Sequence, residues 1–241
     1  WVYRSPLMSE IEENLLNIRR RIQTACLRVG RDLGEVELVA VSKTFPVDSV
    51  RDAMDAGQVA FGESRLQEAE PKIECLPGSL KWHFIGRVQR NKVRKLLPHF
   101  GWVHGVDSAK LAAYMNEVAG ELGLFPKVFL QVNVGEEVSK GGFEVDALRA
   151  ELDAILSLDR LEIMGLMCIP PPGPDASASR PWFVKLRELR DALEIDCGVK
   201  LPSLSMGMSD DFEVAIEEGA THVRVGSAIF GKRPPASILL D

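Results

Sequence analysis

The sequence predicts an α/β protein closed as a (β/α)8 TIM barrel, a single domain spanning residues 1–241 with an extra helix ahead of the first strand. Three observations predict it. Eight short apolar runs recur along the chain from Leu38 onward. Each is followed by a stretch whose apolar residues lie three or four apart, the spacing of a helix. The runs do not alternate apolar with polar residues, so they read as strands buried on both faces, as in a parallel sheet. A doubly wound open sheet is the alternative, but no GxGxxG follows the first strand to support it.

Ser9 and Glu12 have capping-box spacing, and Ile11, Leu15, Ile18, Ile22, Cys26 and Val29 then mark one helical face that ends at Gly30. The first strand is Leu38-Val39-Ala40-Val41-Ser42-Lys43-Thr44, and Pro46 stops it. Val47, Val50 and Met54 mark a helix ending at Gly57, and residues 59–63 form the second strand. Further strands are expected at 82–85, 102–106, 128–134, 161–167, 201–206 and 222–225. Helical patterns occupy 66–73, 88–97, 109–122, 147–156, 182–193 and 212–217. Between the sixth strand and its helix, Pro170 to Arg180 reads as a proline-rich surface loop, with a lid as the alternative.

The composition excludes several classes of function. Hydrophobic residues make up 46% and charged residues 27% of the 241, the balance of a globular protein with a sizeable core. A formal net charge of -6 argues against nucleic-acid or anionic-membrane binding. Cys26, Cys75, Cys168 and Cys197 are scattered without metal-ligand spacing, so no metal is expected and a reducing cytoplasm is the expected location. No apolar run reaches the roughly 20 residues of a membrane span, and the charged N-terminus is not expected to act as a signal peptide. The chain begins at Trp1, so its native start is expected upstream or at Met8.

Chemistry concentrates at the strand ends, where barrels of this class carry their active sites. Lys43 emerges beside the apolar first strand; burial disfavours an ammonium, and a neutral amine is the nucleophile that forms a Schiff base with a carbonyl. An ordinary solvated lysine is the alternative. Leu204-Ser205-Met206-Gly207-Met208-Ser209 and Arg224-Val225-Gly226-Ser227-Ala228 end the seventh and eighth strands. Small residues let backbone N–H groups approach an anion, hydroxyls add donors, and these two loops are the usual phosphate position in the fold. An aldehyde at one end and a phosphate at the other describe pyridoxal 5′-phosphate. Arg224 would face its ring: a guanidinium keeps its own proton, so it would leave a pyridine nitrogen unprotonated and the ring a weaker electron sink. A structural ion pair is the alternative for Arg224.

Ala40-Val41-Ser42-Lys43-Thr44, Phe61-Gly62-Glu63, Trp82-His83-Phe84-Ile85-Gly86, Gln131-Val132-Asn133-Val134, Gly165-Leu166-Met167, Leu204 to Asp211 and Arg224 to Gly231 follow one another in an order that resembles the pyridoxal phosphate homeostasis proteins. The resemblance covers nearly the whole chain. It implies a fold-type III barrel similar to the N-terminal domain of alanine racemase, and a cofactor carrier or regulator of vitamin B6 without established enzyme activity. It further implies that Lys43 carries the Schiff base and that Ser205, Met206, Gly207, Ser209, Gly226 and Ser227 surround the phosphate, with Arg224 at the ring nitrogen. His83 and Ser64 would approach the ring, and Lys140 would give a secondary contact to an anion or to excess aldehyde. Two departures stand out. Ser64-Arg65 replaces the family's usual Asn and aromatic after Phe-Gly-Glu, which shortens the reach of that position, and Arg87-Val88-Gln89 replaces the usual Pro-Leu-Gln. The basic residues Arg87, Arg90, Lys92, Arg94 and Lys95 read as a solvated face, with a phosphorylated partner as the alternative.

Racemization needs two bases on opposite faces of the substrate α-carbon, and in alanine racemase the second is a tyrosine from another domain. The only tyrosines here are Tyr3 and Tyr114, neither at a strand end, and no such domain is expected after Gly231. A non-catalytic, monomeric binding protein for pyridoxal phosphate is therefore expected, with cofactor-dependent apoenzymes as partners. The alternatives are a racemase-like enzyme that borrows its second base and a Schiff-base aldolase acting on a sugar phosphate.

Overall fold

In the computed structural model, which describes residues 8–135 and 141–232, the eight strands form one closed parallel barrel in chain order, with the first bonded to the eighth. They are β1 (Glu37–Val41), β2 (Ala60–Glu63), β3 (Lys81–Phe84), β4 (Trp102–Val106), β5 (Lys127–Gln131), β6 (Glu162–Met167), β7 (Ser203–Met208) and β8 (His222–Val225). The register Glu37↔His222 through Ala40↔Val225 closes it. A closed parallel sheet has no edge, and each strand must satisfy both faces, which is why its residues show no alternation.

The helices ring this barrel: α1 (Glu10–Arg28), α2 (Val47–Asp55), α3 (Leu66–Cys75), α4 (Val93–Leu96), α5 (Ala109–Leu122), α6 (Val145–Leu156), α7 (Arg180–Cys197), α8 (Phe212–Glu217) and α9 (Ser227–Phe230). Ser9 caps α1 by accepting from the Glu12 N–H at 3.1 Å. Leu15, Ile18 and Ile22 bury the inner face of α1 in the core. Its outer residues Arg21 and Arg28 pair with Glu213 and Glu217 of α8, and Asn14 donates to the Ile229 carbonyl of α9 at 2.9 Å. The extra helix thus braces the two short helices that follow β7 and β8, where the site is built.

Several elements depart from the sequence reading, among them β5, expected over 128–134, which stops at Gln131. Residues 88–97 hold a short 3-10 turn, Arg90–Lys92, and the four-residue α4 in place of one helix. The apolar positions Val88 and Val93 are five apart, a step that leaves the helical face. β1 stops at Val41, so Ser42, Lys43 and Thr44 lie beyond the sheet. β7 runs two residues further than expected, to Met208, which turns Gly207 into a strand residue. The proline-rich loop after β6 contains a short 3-10 turn, Ala176–Ser179, capped by Asp175. Among the described residues no helix is long and apolar enough to cross a membrane.

Candidate cofactor site

Beyond β1 the chain makes a pinned arch. Ser42 Oγ donates to Glu63 Oε1 at 2.7 Å, and Lys72 Nζ donates to both the Ser42 carbonyl (2.8 Å) and Glu63 Oε1 (2.6 Å). Glu63 and Lys72 are both buried, and burial pushes the Glu63 carboxyl above the usual carboxylate range against the pull of Lys72. On the other side of Lys43, Thr44 takes a φ of 69°, a left-handed conformation costly for a β-branched residue. Its N–H donates to Glu68 Oε2 at 3.0 Å. Both neighbours of Lys43 are held, and the lysine is delivered half-buried at the C-terminal mouth of the barrel.

There it lines a cavity of about 240 Å3 together with Arg224, Ser209, Gly226 and Ser227. Phe45, Ile85 and Ile169 supply apolar walls, and Asp210 stands exposed at the rim. Beyond the neighbouring β8, the backbone N–H groups of Gly226 and Ala228 converge on Ser209 Oγ at 3.2 and 3.4 Å, marking a place where two donors meet an acceptor. Gly226 keeps this edge bare, since a Cβ there would sit 3.3 Å from the Val41 carbonyl oxygen. Arg224 is buried and makes no ion pair among the described residues; its Nη1 donates to Ser205 Oγ at 2.6 Å and its Nη2 to the Cys168 carbonyl at 2.9 Å. Burial lowers its pKa from the ordinary value, and the same burial holds the Cys168 thiol at about 12, protonated.

The structure thus brings Lys43, Ser209, Arg224, Gly226 and Ser227 together, and distributes the other sequence candidates elsewhere. Ser205 lies inside the barrel beneath Arg224, where it contacts the guanidinium and His104 (2.7 Å). Met206, its strand neighbour, is buried in the hydrophobic core. Gly207 has a φ of 93°, and a Cβ there would come within 2.6 Å of Ala215 Cβ, so it sets the close approach of β7 and α8. Ser64 lines a separate depression with Arg65, Phe84 and Arg87. His83 is fully buried inside the barrel, its ring stacked on Trp102 at 5.2 Å and its Nδ1 3.0 Å from His104 Nε2. Lys140 lies outside the described residues. Of the basic run, Arg90 packs over Tyr114 and Arg94 pairs with Glu121.

Sequence reasoning missed the Glu63–Lys72 pair, Glu68 and His104. Their signal was weak: a glutamate at a strand end and a lysine nine residues on look like solvated charges until the barrel buries them. Among the described residues no three His, Cys, Asp or Glu side chains group as metal ligands. A wider depression at the opposite barrel end, lined by Glu37, Lys81 and His222, faces the N-terminal ends of the strands, where this fold does not place active sites.

Fold and site together define the class of protein: a closed barrel with a lysine beyond its first strand and converging backbone N–H groups beyond its last. Residues 10–234 match the family model for the alanine racemase N-terminal domain. The pyridoxal phosphate homeostasis protein of Pseudomonas aeruginosa is 46% identical over 230 residues, covering 94% of this chain and 97% of that protein. Its counterpart in Aquifex aeolicus is 44% identical over 222 residues, covering 92% and 97%. PipY of Synechococcus elongatus PCC7942, solved with PLP bound, is 40% identical, covers 92% of this chain and 100% of its own, and superposes with a TM-score of 0.81. Alanine racemase of Clostridium difficile superposes with a TM-score of 0.69 at 15% identity, covering 94% of this chain and 62% of that one, a likeness of fold alone. The chain belongs to the pyridoxal phosphate homeostasis protein family.

Proposed function

We propose that this barrel holds pyridoxal 5′-phosphate on Lys43 and serves intracellular homeostasis of that cofactor without catalytic turnover. One observation carries the reading: an amine, a charged guanidinium and the Ser209–Gly226–Ser227 edge, where the Gly226 and Ala228 N–H groups converge on Ser209 Oγ, border a single small cavity. The donor set fits the cofactor. Lys43 offers the primary amine, Ser209, Ser227 and the N–H groups of Gly226 and Ala228 offer donors for a phosphate, and Arg224 has N–H donors beyond its two bonds for a ring nitrogen. When bound, the cofactor supplies an aldehyde for condensation with an amine and a pyridine ring that withdraws electrons.

The protein's own residues limit the chemistry open to a bound cofactor. Arg224 would donate to a ring nitrogen without giving up its proton, which would restrain electron withdrawal. Phe45, Ile85 and Ile169 give the cavity an apolar side beside the amine. No tyrosine or histidine borders the cavity among the described residues, and the one carboxylate there, Asp210, is an exposed rim group. Tyr114 is engaged by Arg90 at 4.4 Å on α5. A single amine at the barrel mouth, with no fixed second base among the described residues, suits holding and releasing the cofactor better than moving a proton between two faces of a substrate. A cytoplasmic location, and apoenzymes as recipients, accord with that role.

Borohydride reduction of the protein loaded with pyridoxal phosphate, followed by peptide mapping, tests this reading alongside solvent-deuterium exchange at the α-carbon of amino acids. The label is expected on Lys43 with no exchange above the free cofactor. A label on another residue would overturn the site, and enzyme-scale exchange would replace the carrier by a racemase-like enzyme.

A further inference from the structure

His104 and His83 border no part of the cavity, yet they end a hydrogen-bonded chain that starts in it. Arg224 of β8 donates to Ser205 Oγ of β7 (2.6 Å), Ser205 Oγ lies 2.7 Å from His104 Nδ1 of β4, and His104 Nε2 lies 3.0 Å from His83 Nδ1 of β3. The chain therefore crosses the barrel bore from its last two strands to the opposite wall. All four side chains are buried, and His83 Nε2 has no partner among the described residues.

Donor counting gives the chain a direction. Arg224 can only donate, so Ser205 Oγ accepts from it and has its own proton to place. Giving that proton to His104 Nδ1 puts the imidazole proton on Nε2, which donates to His83 Nδ1 and leaves His83 protonated on Nε2. One buried group is then unpaired. The reverse direction would leave both the Ser205 hydroxyl proton and the His83 Nε2 lone pair without partners. Each histidine carries one proton in this arrangement, in keeping with burial, which holds His83 at about 3 and His104 well below its ordinary value.

We propose that His104, its tautomer fixed by His83, is a positioning residue for Arg224: it turns the Ser205 hydroxyl into a fixed acceptor that orients the guanidinium toward the cavity. A carboxylate in that place would orient the arginine equally well, but would cancel its charge. A chain of neutral groups holds the guanidinium and leaves its charge directed at the ligand, with Asp211, itself bonded to the Met208 N–H at 2.7 Å, as the nearby acid. In this role the chain serves the cofactor site proposed above and rests on that reading for its ligand.

The test has a ligand-free arm and a cofactor arm. In the ligand-free protein, long-range 1H–15N correlation spectra of 15N-histidine samples are expected to show His104 and His83 both neutral and protonated on Nε2. His104→Leu, which removes the acceptor, is expected to shift and broaden the Arg224 side-chain N–H signals. His104→Asn, whose amide oxygen can stand where Nδ1 stood, is expected to restore them. With 15N-labelled pyridoxal phosphate, the leucine variant is expected to bind about tenfold more weakly, the scale of one hydrogen bond to a charged group, and to move the ring-nitrogen shift, with the asparagine variant near wild type. A His104 proton on Nδ1, or Arg224 signals unchanged in His104→Leu, would overturn the proposal; the first needs no variant to fold. Should wild-type protein bind no pyridoxal phosphate while the ligand-free results hold, the cofactor reading falls and the positioning of Arg224 stands.

Discussion

Replacing Lys72 by methionine would remove the cation from the buried pair that anchors the arch before Lys43. Lys72 Nζ sits 2.6 Å from Glu63 Oε1, with side-chain exposures of 7% and 0%, and the second carboxylate oxygen of Glu63 has no partner among the described residues. In the variant, Glu63 retains only the Ser42 hydroxyl, and an isolated buried carboxylate results. Breaking one side of such a pair costs about 3–5 kcal/mol, a large share of the stability of a typical domain. Replacing both partners, Glu63→Leu with Lys72→Met, is expected to recover most of the loss, since neither charge then needs solvation. The pH dependence has a definite sign. Burial already raises the folded-state pKa of Glu63. An acid with a raised folded pKa binds more protons folded than unfolded, so its contribution is fully present below the unfolded value and is lost as pH rises through the folded one. Without Lys72 that folded pKa climbs further, and the deficit of the variant grows from about pH 4.5 upward. Urea unfolding at pH 5 and pH 8 measures it, with the larger loss expected at pH 8. A loss below about 1 kcal/mol at pH 8, or an equal loss at both values, would refute the reasoning.

Four further outcomes are expected. Ser209→Ala removes the acceptor on which the Gly226 and Ala228 N–H groups converge and one donor to a phosphate; affinity for pyridoxal phosphate should fall about tenfold while that for unphosphorylated pyridoxal stays level, and equal losses would remove Ser209 from the phosphate site. Gly207→Ala, at φ 93° with Ala215 Cβ only 2.6 Å from the new methyl, should cost about 2–4 kcal/mol in chemical denaturation. Gly30→Ala, at φ 69° with nothing within 4 Å, should cost only about 1 kcal/mol. Burial alone would raise the Glu37 carboxyl, but contacts with His222 and Lys81 outweigh it and hold it at about 2. Its contribution to stability is therefore present above the unfolded value and lost as pH falls toward about 2, so Glu37→Gln should flatten acid unfolding, and an unchanged slope would contradict that assignment.

The barrel was legible because its eight strands are mostly apolar runs without alternation and its helices carry one apolar face, two patterns that composition and spacing carry directly. Lys43 was legible for a similar reason: a polar residue placed where an apolar run stops has to emerge at a strand end. The donor edge at Ser209, Gly226 and Ser227 was legible from its small residues. What connects strands across the bore was not. His83, His104, Ser205 and Arg224 are far apart in sequence and meet only through the register of β3, β4, β7 and β8 and the closure of the sheet. Nor does an apolar pattern announce a left-handed Thr44, which the bonds around Ser42 and Glu68 impose from outside the segment. Residues 201–206 read as the seventh strand because their apolar content ends there, whereas the observed strand carries on through Gly207 to pack against α8.

The account stands most directly on Lys43. The visible absorption of the purified protein titrated with pyridoxal phosphate, compared with Lys43→Ala, measures it. The account predicts a band of the lysine-bound imine that saturates at one equivalent in the wild type and is absent from the variant. The same band in Lys43→Ala, or none in the wild type, would contradict it and leave the anion donors beyond β7 and β8 to a ligand without an aldehyde.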